Sequence, residues 1–417
     1  MDIGYACLTY AVPGLDYRTC LLKNAVPENL ERLICHNLDA LECAVAYNVQ
    51  YGIRLFRISS EVIPLASHPE FRFDWEGRFA SSLRRLGGLM KQAGMRVSMH
   101  PGQYTVLNTP DPALLQKSVA DIAYHVRFLD SLGVDASCKV ILHVGGAYGD
   151  QHAALRRFAQ AWEGLDIAAR RRIVVENDER LFNIAQVLAL GSELGIPVVF
   201  DALHHRLNSP EEGLSDGEWI RRCSASWKPC DGRQKIHYSQ QAGSGRPGAH
   251  SATIRLREFV DYLERAGRPD VDVMLETKDK NISAVKCILG MQPHLPAPVL
   301  EEEWARCKYL VMSRSQQAYE DLRAMMRAPD SVVPADFYSV VDDSLGQCSP
   351  AAEVNAAQHV WGYFRSHAAI GERTRFAALL GEYQDGKREA ASLKSFLHRL
   401  AEKYGIRYLL KSYYFYY

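Results

Sequence analysis

The chain lacks a long apolar run, a net charge and any closely spaced pair of cysteines, and each absence excludes a class of protein. No hydrophobic stretch approaches the roughly 20 residues that a membrane-spanning helix requires. The N-terminus, Met1–Tyr5, shows no basic region followed by a hydrophobic one. We therefore expect a cytoplasmic protein without a membrane partner. Basic and acidic residues number 49 each, so overall charge gives no argument for nucleic-acid binding.

The ten cysteines lie apart from one another, mostly in apolar or helical surroundings. None forms the CxxC pair that is typical of zinc and redox motifs. We therefore expect reduced thiols in the core and no disulfide framework. With 417 residues, of which 47% are hydrophobic and 24% are charged, the chain is long enough for one large domain and one smaller domain.

Short apolar runs alternate with longer amphipathic stretches from the N-terminus to Leu289. Eight successive βα units predict an α/β fold of the (β/α)₈ TIM-barrel type. A doubly wound open sheet is the alternative, but such a sheet binds its ligand at one crevice and does not carry ligands on nearly every strand. The predicted strands are Ile3–Leu8, Arg54–Ile58, Val97–His100, Lys139–Val144, Ile173–Glu176, Val198–Asp201, Gln234–Ser239 and Val271–Glu276.

Boundary residues support several of the helices between these strands. Pro27 suits the first turn of a helix over Pro27–Val49, and Gly133 ends a helix over Pro112–Leu132. Three prolines within Pro293–Pro298 predict a linker. Beyond it the chain is helical by its hydrophobic period and poor in strands. We therefore predict a barrel domain over 1–292 and a smaller helical domain over 300–417.

Side chains of metal-ligand type stand at the C-terminal ends of six predicted strands. In a TIM barrel these ends share the face on which active sites are built. A single histidine after an apolar run is usually structural. Six strands with the same feature indicate a bound cation, because buried carboxylates and imidazoles that converge without one are costly. The residues are His100, His143, Glu176, Asp201 with His204, His237 and Glu276.

Mixed histidine and carboxylate ligands suit zinc, manganese or iron. The ligands are too many for one ion, so we predict a cluster of two or three, with Glu176 and Asp201 as bridges. Closely spaced metals favour in-line displacement at phosphorus, which predicts phosphodiester hydrolysis. A sugar isomerase or epimerase is the alternative, because such barrels also gather His, Asp and Glu around paired ions. A non-enzymatic binding scaffold would leave most of the ligands without a purpose.

Three further residues near the predicted ligands need separate predictions, and one of them, His205, faces another way than its neighbour His204. His250 follows the glycine-rich loop Gly243–Gly248, and it is either another ligand or a cap of the next helix. Lys235 precedes His237 by two positions on one strand, so both side chains point into the barrel. A buried lysine has to be paired, for example with Glu276, or chemically modified. His205 is expected to have an ordinary structural role.

An ordered series of motifs closely resembles the UV damage endonuclease family, relatives of endonuclease IV. The motifs are Ile58–Ser60, His68–Pro69, Ser98–Tyr104, Ile141–Gly146, Val174–Asp178, Phe200–His205, Lys235–Ser239 and Leu275–Lys280. The resemblance implies a TIM barrel with a divalent metal cluster, usually manganese. It also implies that the substrate is damaged double-stranded DNA, cut immediately 5′ to cyclobutane pyrimidine dimers and related photoproducts to leave a 3′-hydroxyl. An abasic-site endonuclease is a further alternative.

The resemblance also implies a role for individual residues. Glu176, Lys235 and Tyr5 are the implied catalytic residues, with Lys235 carboxylated, and Gln103 and Tyr104 are the implied lesion probes. A photodimer weakens stacking and pairing, so extruding it costs less, and an amide and an aromatic ring can fill the gap. His68 is expected near the site. The implied metal ligands are His100, His143, Glu176, Asp201, His204, His237, His250 and Glu276.

Basic residues outside the ligand set give two weaker predictions. Arg54, Arg57, Lys278 and Lys280 lie near the predicted rim, where they either meet phosphates or remain solvated or paired with acidic side chains. The C-terminal region, from Glu303 onward, resembles the YbgA-like domain, a helical family of unclear function. Its basic and aromatic residues predict either an additional nucleic-acid surface or, for the aromatic rings, an ordinary helical core. The basic residues concerned are Arg306, Lys308 and Arg314.

Overall fold

The computed structural model describes residues 1–211, 213–347 and 349–417. Eight parallel strands form a closed barrel, in which each strand pairs with its neighbours in chain order and the eighth pairs with the first. This confirms the predicted (β/α)₈ barrel and excludes the open sheet. The strands are β1 (Ile3–Ala6), β2 (Leu55–Ile58), β3 (Arg96–Met99), β4 (Lys139–His143), β5 (Ile173–Glu176), β6 (Val198–Asp201), β7 (Lys235–Tyr238) and β8 (Asp272–Leu275).

Helices follow the strands. The short helices α2, α6 and α8 were not predicted, because four to six residues make too few turns to show a hydrophobic period. The helices are α1 (Pro27–Gln50), α2 (Trp75–Arg78), α3 (Ala80–Gln92), α4 (Pro112–Leu132), α5 (Gln151–Glu163), α6 (Ile167–Arg172), α7 (Ile184–Leu194), α8 (Ala202–Leu207), α9 (Asp216–Ser224), α10 (Leu256–Arg265) and α11 (Asn281–Gly290).

The boundary signals in the sequence act as predicted. Pro27 begins α1, and Gly133 and Gly195 end α4 and α7 in the left-handed conformation, with φ of 69° and 67°. The first strand is shorter than predicted. It ends at Ala6 because Cys7 adopts a φ of 69°, which is incompatible with extended backbone.

Alternation along the strands aims the candidate ligands into the barrel. Successive side chains of a strand point to opposite faces of the sheet, so residues two apart share a face. On each of β4, β5 and β6, a residue of one buried layer is followed two positions later by a predicted ligand. These ligands are His143, Glu176 and Asp201. These side chains therefore stand on top of a packed apolar layer. The layer consists of Ile141, Val174 and Val199.

The chain divides into two compact units. The first comprises Met1–Thr9, Leu15–Ile254 and Asp261–Ala284, and the second comprises Tyr10–Gly14, Arg255–Val260 and Val285–Tyr417. No helix in the described part of the chain has the length and apolarity needed to cross a membrane. Beyond α11 the second unit contains α12 (Ala297–Met312), α13 (Gln316–Met325), α14 (Pro334–Leu345), α15 (Pro350–Trp361), α16 (Ile370–Gln384), α17 (Ala390–Lys403) and α18 (Arg407–Leu410).

Two predictions for the C-terminal region need correction. The linker predicted over Pro293–Pro298 is shorter, because α12 begins at Ala297 and places Pro298 in its first turn, where proline is tolerated. Arg306 is not available to meet phosphates, because it is buried on α12 and its NH2 donates to Glu302 at 2.9 Å. The helical character predicted for this region is confirmed.

A buried arginine ties α6 to the end of α4 and the segment that leads into β4. Arg172 donates from Nε and NH2 to Asp130 Oδ1 at 2.9 and 2.6 Å. It also donates to the carbonyls of Val134, Asp135 and Cys138 at 2.8, 2.7 and 2.9 Å. One guanidinium thus satisfies three carbonyls that a shorter side chain could not reach.

We predict that Arg172→Ala lowers the free energy of unfolding by about 3 kcal/mol, because it leaves these carbonyls without their donor. Urea denaturation followed by circular dichroism measures the change. Arg170→Ala is the matched control, because Arg170 is exposed on the same helix and its loss should cost less than about 0.5 kcal/mol. Equal destabilisation by both substitutions would contradict the role of Arg172.

Candidate active site

Glu176, the last residue of β5, lies at the centre of the predicted ligands. It is 2% exposed, and its Oε1 lies 2.8 Å from Nε2 of both His100 and His143. Its Oε2 contacts Nδ1 of His237. Ligand atoms of Glu176, His100 and His143 lie within 4.8 Å of one another, and so do those of Glu176, Asp201 and His237. Glu176 belongs to both groups, as a carboxylate that bridges two cations does.

The hydrogen bonds around His100 favour a cation at this place. Its Nδ1 lies 2.9 Å from the carbonyl of Pro101, and its Nε2 lies 2.8 Å from Glu176 Oε1. Both partners are acceptors, whereas a neutral imidazole carries only one N–H. Burial lowers the pKa of His100, so a second proton is disfavoured. A metal ion between Nε2 and the carboxylate removes the conflict.

Asp201 provides a second sign of a cation. Its Oδ2 is buried and has no hydrogen-bond partner within the described residues. Burial raises the pKa of the Asp201 carboxyl to about 6, against the opposing effect of the adjacent His204 ring. The residues present therefore fit the divalent metal that the family resemblance implied.

Asn177 orients two of the ligands through its side chain and its backbone. Its Nδ2 donates to the carbonyl of Asp201 at 3.1 Å, and its Oδ1 accepts from the Asp201 amide at 2.9 Å. Its own carbonyl lies 3.0 Å from Nδ1 of His204. A proton held on Nδ1 by this carbonyl leaves Nε2 of His204 as the ligating nitrogen. In the sequence, Asn177 belongs to the motif Val174–Asp178, but no role was predicted for it.

The remaining predicted ligands are Glu276 and His250, and Glu276 Oε1 lies 3.3 Å from Nδ1 of His237. Glu276 follows β8, and its Oε2 is 3.8 Å from Nε2 of His250. Its Oε1 is 2.6 Å from NH2 of Arg57, which also lies 3.0 Å from Nε2 of His237. The structure therefore brings His250 to the ligand set and adds a guanidinium to it.

Of the roles left open for Arg57, the structure shows pairing with an acidic side chain, Glu276, because Arg57 is 5% exposed and points into the barrel. The signal was present in the sequence. Arg57 follows Leu55 by two positions on β2 and Leu55 is an interior residue, so alternation turns both side chains inward. Arg54 is also misplaced in the prediction, because it precedes β2 and lies toward the opposite end of the barrel. Lys278 and Lys280 follow β8, on the predicted face.

Lys235 lies in the barrel interior, as predicted. The suggested pairing with Glu276 is not found, because Arg57 occupies that carboxylate. Within the described residues Lys235 Nζ has no hydrogen-bond partner. Burial, together with the charges of Arg96 and Arg57, holds the pKa of Lys235 well below its usual range. A positive charge on the Lys235 amine is therefore disfavoured in this environment.

Comparisons with known proteins agree with this geometry. Residues 1–297 match the family described as UV-endonuclease UvdE. The chain belongs to this family. The UV DNA damage endonuclease of Clostridium perfringens (strain 13 / Type A) is 38% identical over 349 residues, 83% of each chain. That of Bacillus cereus (strain B4264) is 32% identical over 270 residues, 64% of this chain and 84% of the relative.

A solved structure supports the same assignment. The crystal structure of SacUVDE superimposes with a TM-score of 0.66 and 33% identity, covering 73% of this chain and 99% of its own. Residues 308–417 match a second family, described as a protein of unknown function, DUF1722. The assignment confirms the predicted resemblance and places the chain among endonucleases.

The two lesion probes that the UvdE resemblance implies lie in an exposed turn after β3. Tyr104 is 78% exposed. Gln103 and Tyr104 share a cavity of about 380 Å³ with His143, one of the ligands around Glu176. A second cavity, of about 560 Å³, lies against Tyr104 and His68. His68 thus lies beside the probe turn, and none of its contacts in the described residues is with a predicted ligand.

The structure does not bring Tyr5 to the ligand cluster. Tyr5 is fully buried, and its hydroxyl is 2.9 Å from Asn48 Oδ1 on α1 and 2.6 Å from Thr9 Oγ1. Gly4 and Ala6 face the barrel interior, so alternation turns Tyr5 toward the helices. His205 is buried, and its ring packs against Phe200 and Trp219. This packing agrees with the structural role predicted for it.

We predict that Asn177→Ala weakens divalent-metal binding by about 10- to 100-fold, because the Asp201 backbone loses the side chain that orients it. Isothermal titration of metal-free protein with Mn²⁺ measures the affinity. Asn183→Ala is the matched control, because Asn183 only caps α7 and its loss should cost about 1 kcal/mol of stability. An unchanged metal affinity in Asn177→Ala would contradict the orienting role.

Proposed function

We propose that this enzyme hydrolyses the phosphodiester immediately 5′ to UV photoproducts in double-stranded DNA, such as cyclobutane pyrimidine dimers, and leaves a 3′-hydroxyl. The observation that carries the proposal is the shared cavity, in which the exposed Gln103 and Tyr104 lie beside His143 of the ligand cluster. Ligands suited to phosphodiester cleavage and side chains suited to reading damage are thus next to each other. Membership of the UvdE family supports the same lesion class.

We propose that the ligands hold two or three divalent ions, manganese by preference and zinc as the alternative. When bound, such ions act as Lewis acids on the phosphodiester and lower the pKa of the attacking water. Mixed imidazole and carboxylate donors suit both metals. The proposed ligands are His100, His143, Glu176, Asp201, His204, His237, His250 and Glu276.

The residues around the predicted ligands influence the ionisation states of these ligands before a metal binds. Burial opposes the charge on Glu276, but the adjacent Arg57 guanidinium lowers the pKa of its carboxyl. Burial acts against the charge on His204 as well, and Asp201 with the other carboxylates raises the pKa of that ring to about 9. A metal ion that takes the His204 lone pair has to displace this proton, so metal binding releases protons.

We propose that Lys235 is carboxylated. The uncharged amine is the form that adds carbon dioxide, making an N–C bond and losing one proton to give a carbamate anion. The charges of Arg96 and Arg57, which disfavour an ammonium group at this position, stabilise an anion there by the same Coulomb interaction. A carbamate would extend the side chain and add two oxygen ligands to the barrel interior.

We assign the recognition of the lesion to the turn that contains Gln103 and Tyr104. A photodimer stacks and pairs poorly, so its extrusion costs less than that of normal bases. The Gln103 amide and the Tyr104 ring occupy the space that the dimer leaves. Because both side chains are exposed, they can enter the duplex without any rearrangement of the barrel.

We propose domains over 1–292 and 300–417, the first an endonuclease domain and the second a helical domain without an assigned activity. The family matches support this division, because one ends at residue 297 and the other begins at residue 308. The UvdE match also favours the photoproduct endonuclease over the sugar isomerase or epimerase and over the abasic-site endonuclease. The predicted cytoplasmic location stays a prediction.

We predict that the protein with Mn²⁺ nicks a 5′-labelled duplex at the phosphodiester on the 5′ side of a single cyclobutane dimer. DNA polymerase should extend the product without prior phosphatase treatment, because it ends in a 3′-hydroxyl. Glu176→Ala should abolish cleavage, because it removes the carboxylate common to both ligand groups. The absence of any nick with either Mn²⁺ or Zn²⁺ would refute the proposal, and cleavage only at an abasic site would favour the alternative endonuclease.

The double variant Gln103→Ala with Tyr104→Ala tests the assignment of the probes. We predict a loss of at least about 10-fold in the cleavage ratio between damaged and undamaged duplex, because stacking by the ring contributes roughly 1–3 kcal/mol. Its bound metal, measured by mass spectrometry of the native protein, should equal that of the wild type. Glu176→Ala should lose metal under the same conditions. Equal metal loss in both variants would count against the separate roles.

A further inference from the structure

Tyr148 adopts a backbone conformation that is costly for its residue type. It lies in the loop between β4 and α5 with a φ of 51°, between Gly145 and Gly149 at 110° and 83°. A residue with a side chain in the left-handed region costs roughly 1 kcal/mol or more, and such strain concentrates at functional sites. Nevertheless 47% of Tyr148 is exposed, so burying the ring does not account for the strain.

The surrounding loop fixes the position of the ring. The Arg157 guanidinium lies 5.4 Å from the ring centroid, and a Cβ at Gly146 would come within 2.9 Å of the ring. Arg157 Nε donates to the carbonyl of Asn108 at 2.7 Å, and Asn108 Nδ2 donates to the carbonyl of Gly146 at 2.7 Å. The ring is thus held in place before any ligand arrives, which reduces the entropy lost on binding.

The ring opens onto the cavity that leads to the ligand cluster. Tyr148 lines the cavity of about 380 Å³ together with Gln103, Tyr104, His143 and Arg180. The loops after three successive strands, β3, β4 and β5, contribute these residues. Within the described residues the only aromatic or cationic group against the Tyr148 ring is Arg157. A half-exposed aromatic ring therefore lines the cavity that the probe turn shares with His143.

We propose that Tyr148 is a nucleotide-stacking residue, whose ring receives an unstacked nucleobase of the damaged duplex. The inference rests on the proposed function, because probe insertion is what creates unstacked bases. Aromatic rings stack on any base without reading its sequence, which suits an enzyme that meets damage in every sequence context. The stacked base strengthens the binding of the damaged duplex at the cavity that Tyr148 and His143 both line.

Two substitutions separate the ring from the backbone. Tyr148→Asn removes the ring and retains the conformation, because asparagine tolerates a positive φ, whereas Tyr148→Phe keeps the ring. In single-turnover nicking of the dimer duplex, we expect the half-saturating enzyme concentration to rise about 10-fold in Tyr148→Asn and by less than about 2-fold in Tyr148→Phe. The rate constant at saturation should change far less, because the metal ligands are intact.

A base analogue reports the stacking directly. With 2-aminopurine beside or opposite the dimer, wild type and Tyr148→Phe should quench the fluorescence on binding, and Tyr148→Asn should leave it bright. Ile167→Ala is the matched control, because Ile167 is an exposed apolar residue of α6, which precedes β5 and lies toward the opposite end of the barrel. It should behave as the wild type.

The outcomes distinguish this assignment from the proposed function. Wild-type nicking combined with unchanged half-saturation and quenching in Tyr148→Asn overturns the stacking role alone. Equal losses in the Asn and Phe variants also overturn it, because they indicate a structural role of the loop. A wild-type protein that does not nick the dimer duplex overturns the proposed function, and the stacking assignment falls with it.

Discussion

The buried carboxylate of Glu176 is the constraint around which the active site is arranged. Burial opposes its ionisation, but the imidazoles, led by His237, hold its pKa well below the usual range. A charge kept in the barrel interior requires compensation. The imidazole rings near Glu176 are themselves oriented by hydrogen bonds to backbone carbonyls. Pro101 and Asn177 supply carbonyls to His100 and His204. The site therefore depends on backbone that lies beyond the ligands.

Charge balance extends this constraint to the barrel interior. Arg57 is a permanent cation whose pairing with Glu276 and contact with His237 compensate part of the negative charge. The same guanidinium, with Arg96, disfavours a protonated Lys235. A metal cluster and a carbamate would add charges of opposite sign to one small volume. Arg57 thus links the ionisation states of Glu276, His237 and Lys235, although none of the three is its neighbour in sequence.

The sequence was sufficient for the barrel and for the convergence of several predicted ligands, because strand alternation and ligand chemistry are local signals. The sequence did not show the direction of a side chain where that direction depends on the pairing between strands. A Cβ at Gly4 would lie 2.0 Å from the Leu55 carbonyl, so β1 has little room inside the barrel and Tyr5 turns outward. The family resemblance implied a catalytic role for Tyr5 but did not show which way its side chain points. Arg57 was placed at the rim from its sequence neighbourhood. Asn177 holds the Asp201 backbone through its side chain and His204 through its carbonyl, and the sequence does not show these partners.

Cutting and reading damage place opposite demands on the structure, and the fold separates them. Under the proposed function, a metal cluster held by the buried ligands would not distinguish one phosphodiester from another, so the choice of bond has to come from exposed side chains. The Asn108 side chain joins the segment that follows the probe turn to the Gly146 backbone, three residues beyond His143. The probes and the cluster are therefore held at one spacing by hydrogen bonds between adjacent loops. Under the proposed function, that fixed spacing is what makes an inserted Gln103–Tyr104 pair select one phosphodiester on the 5′ side of the dimer.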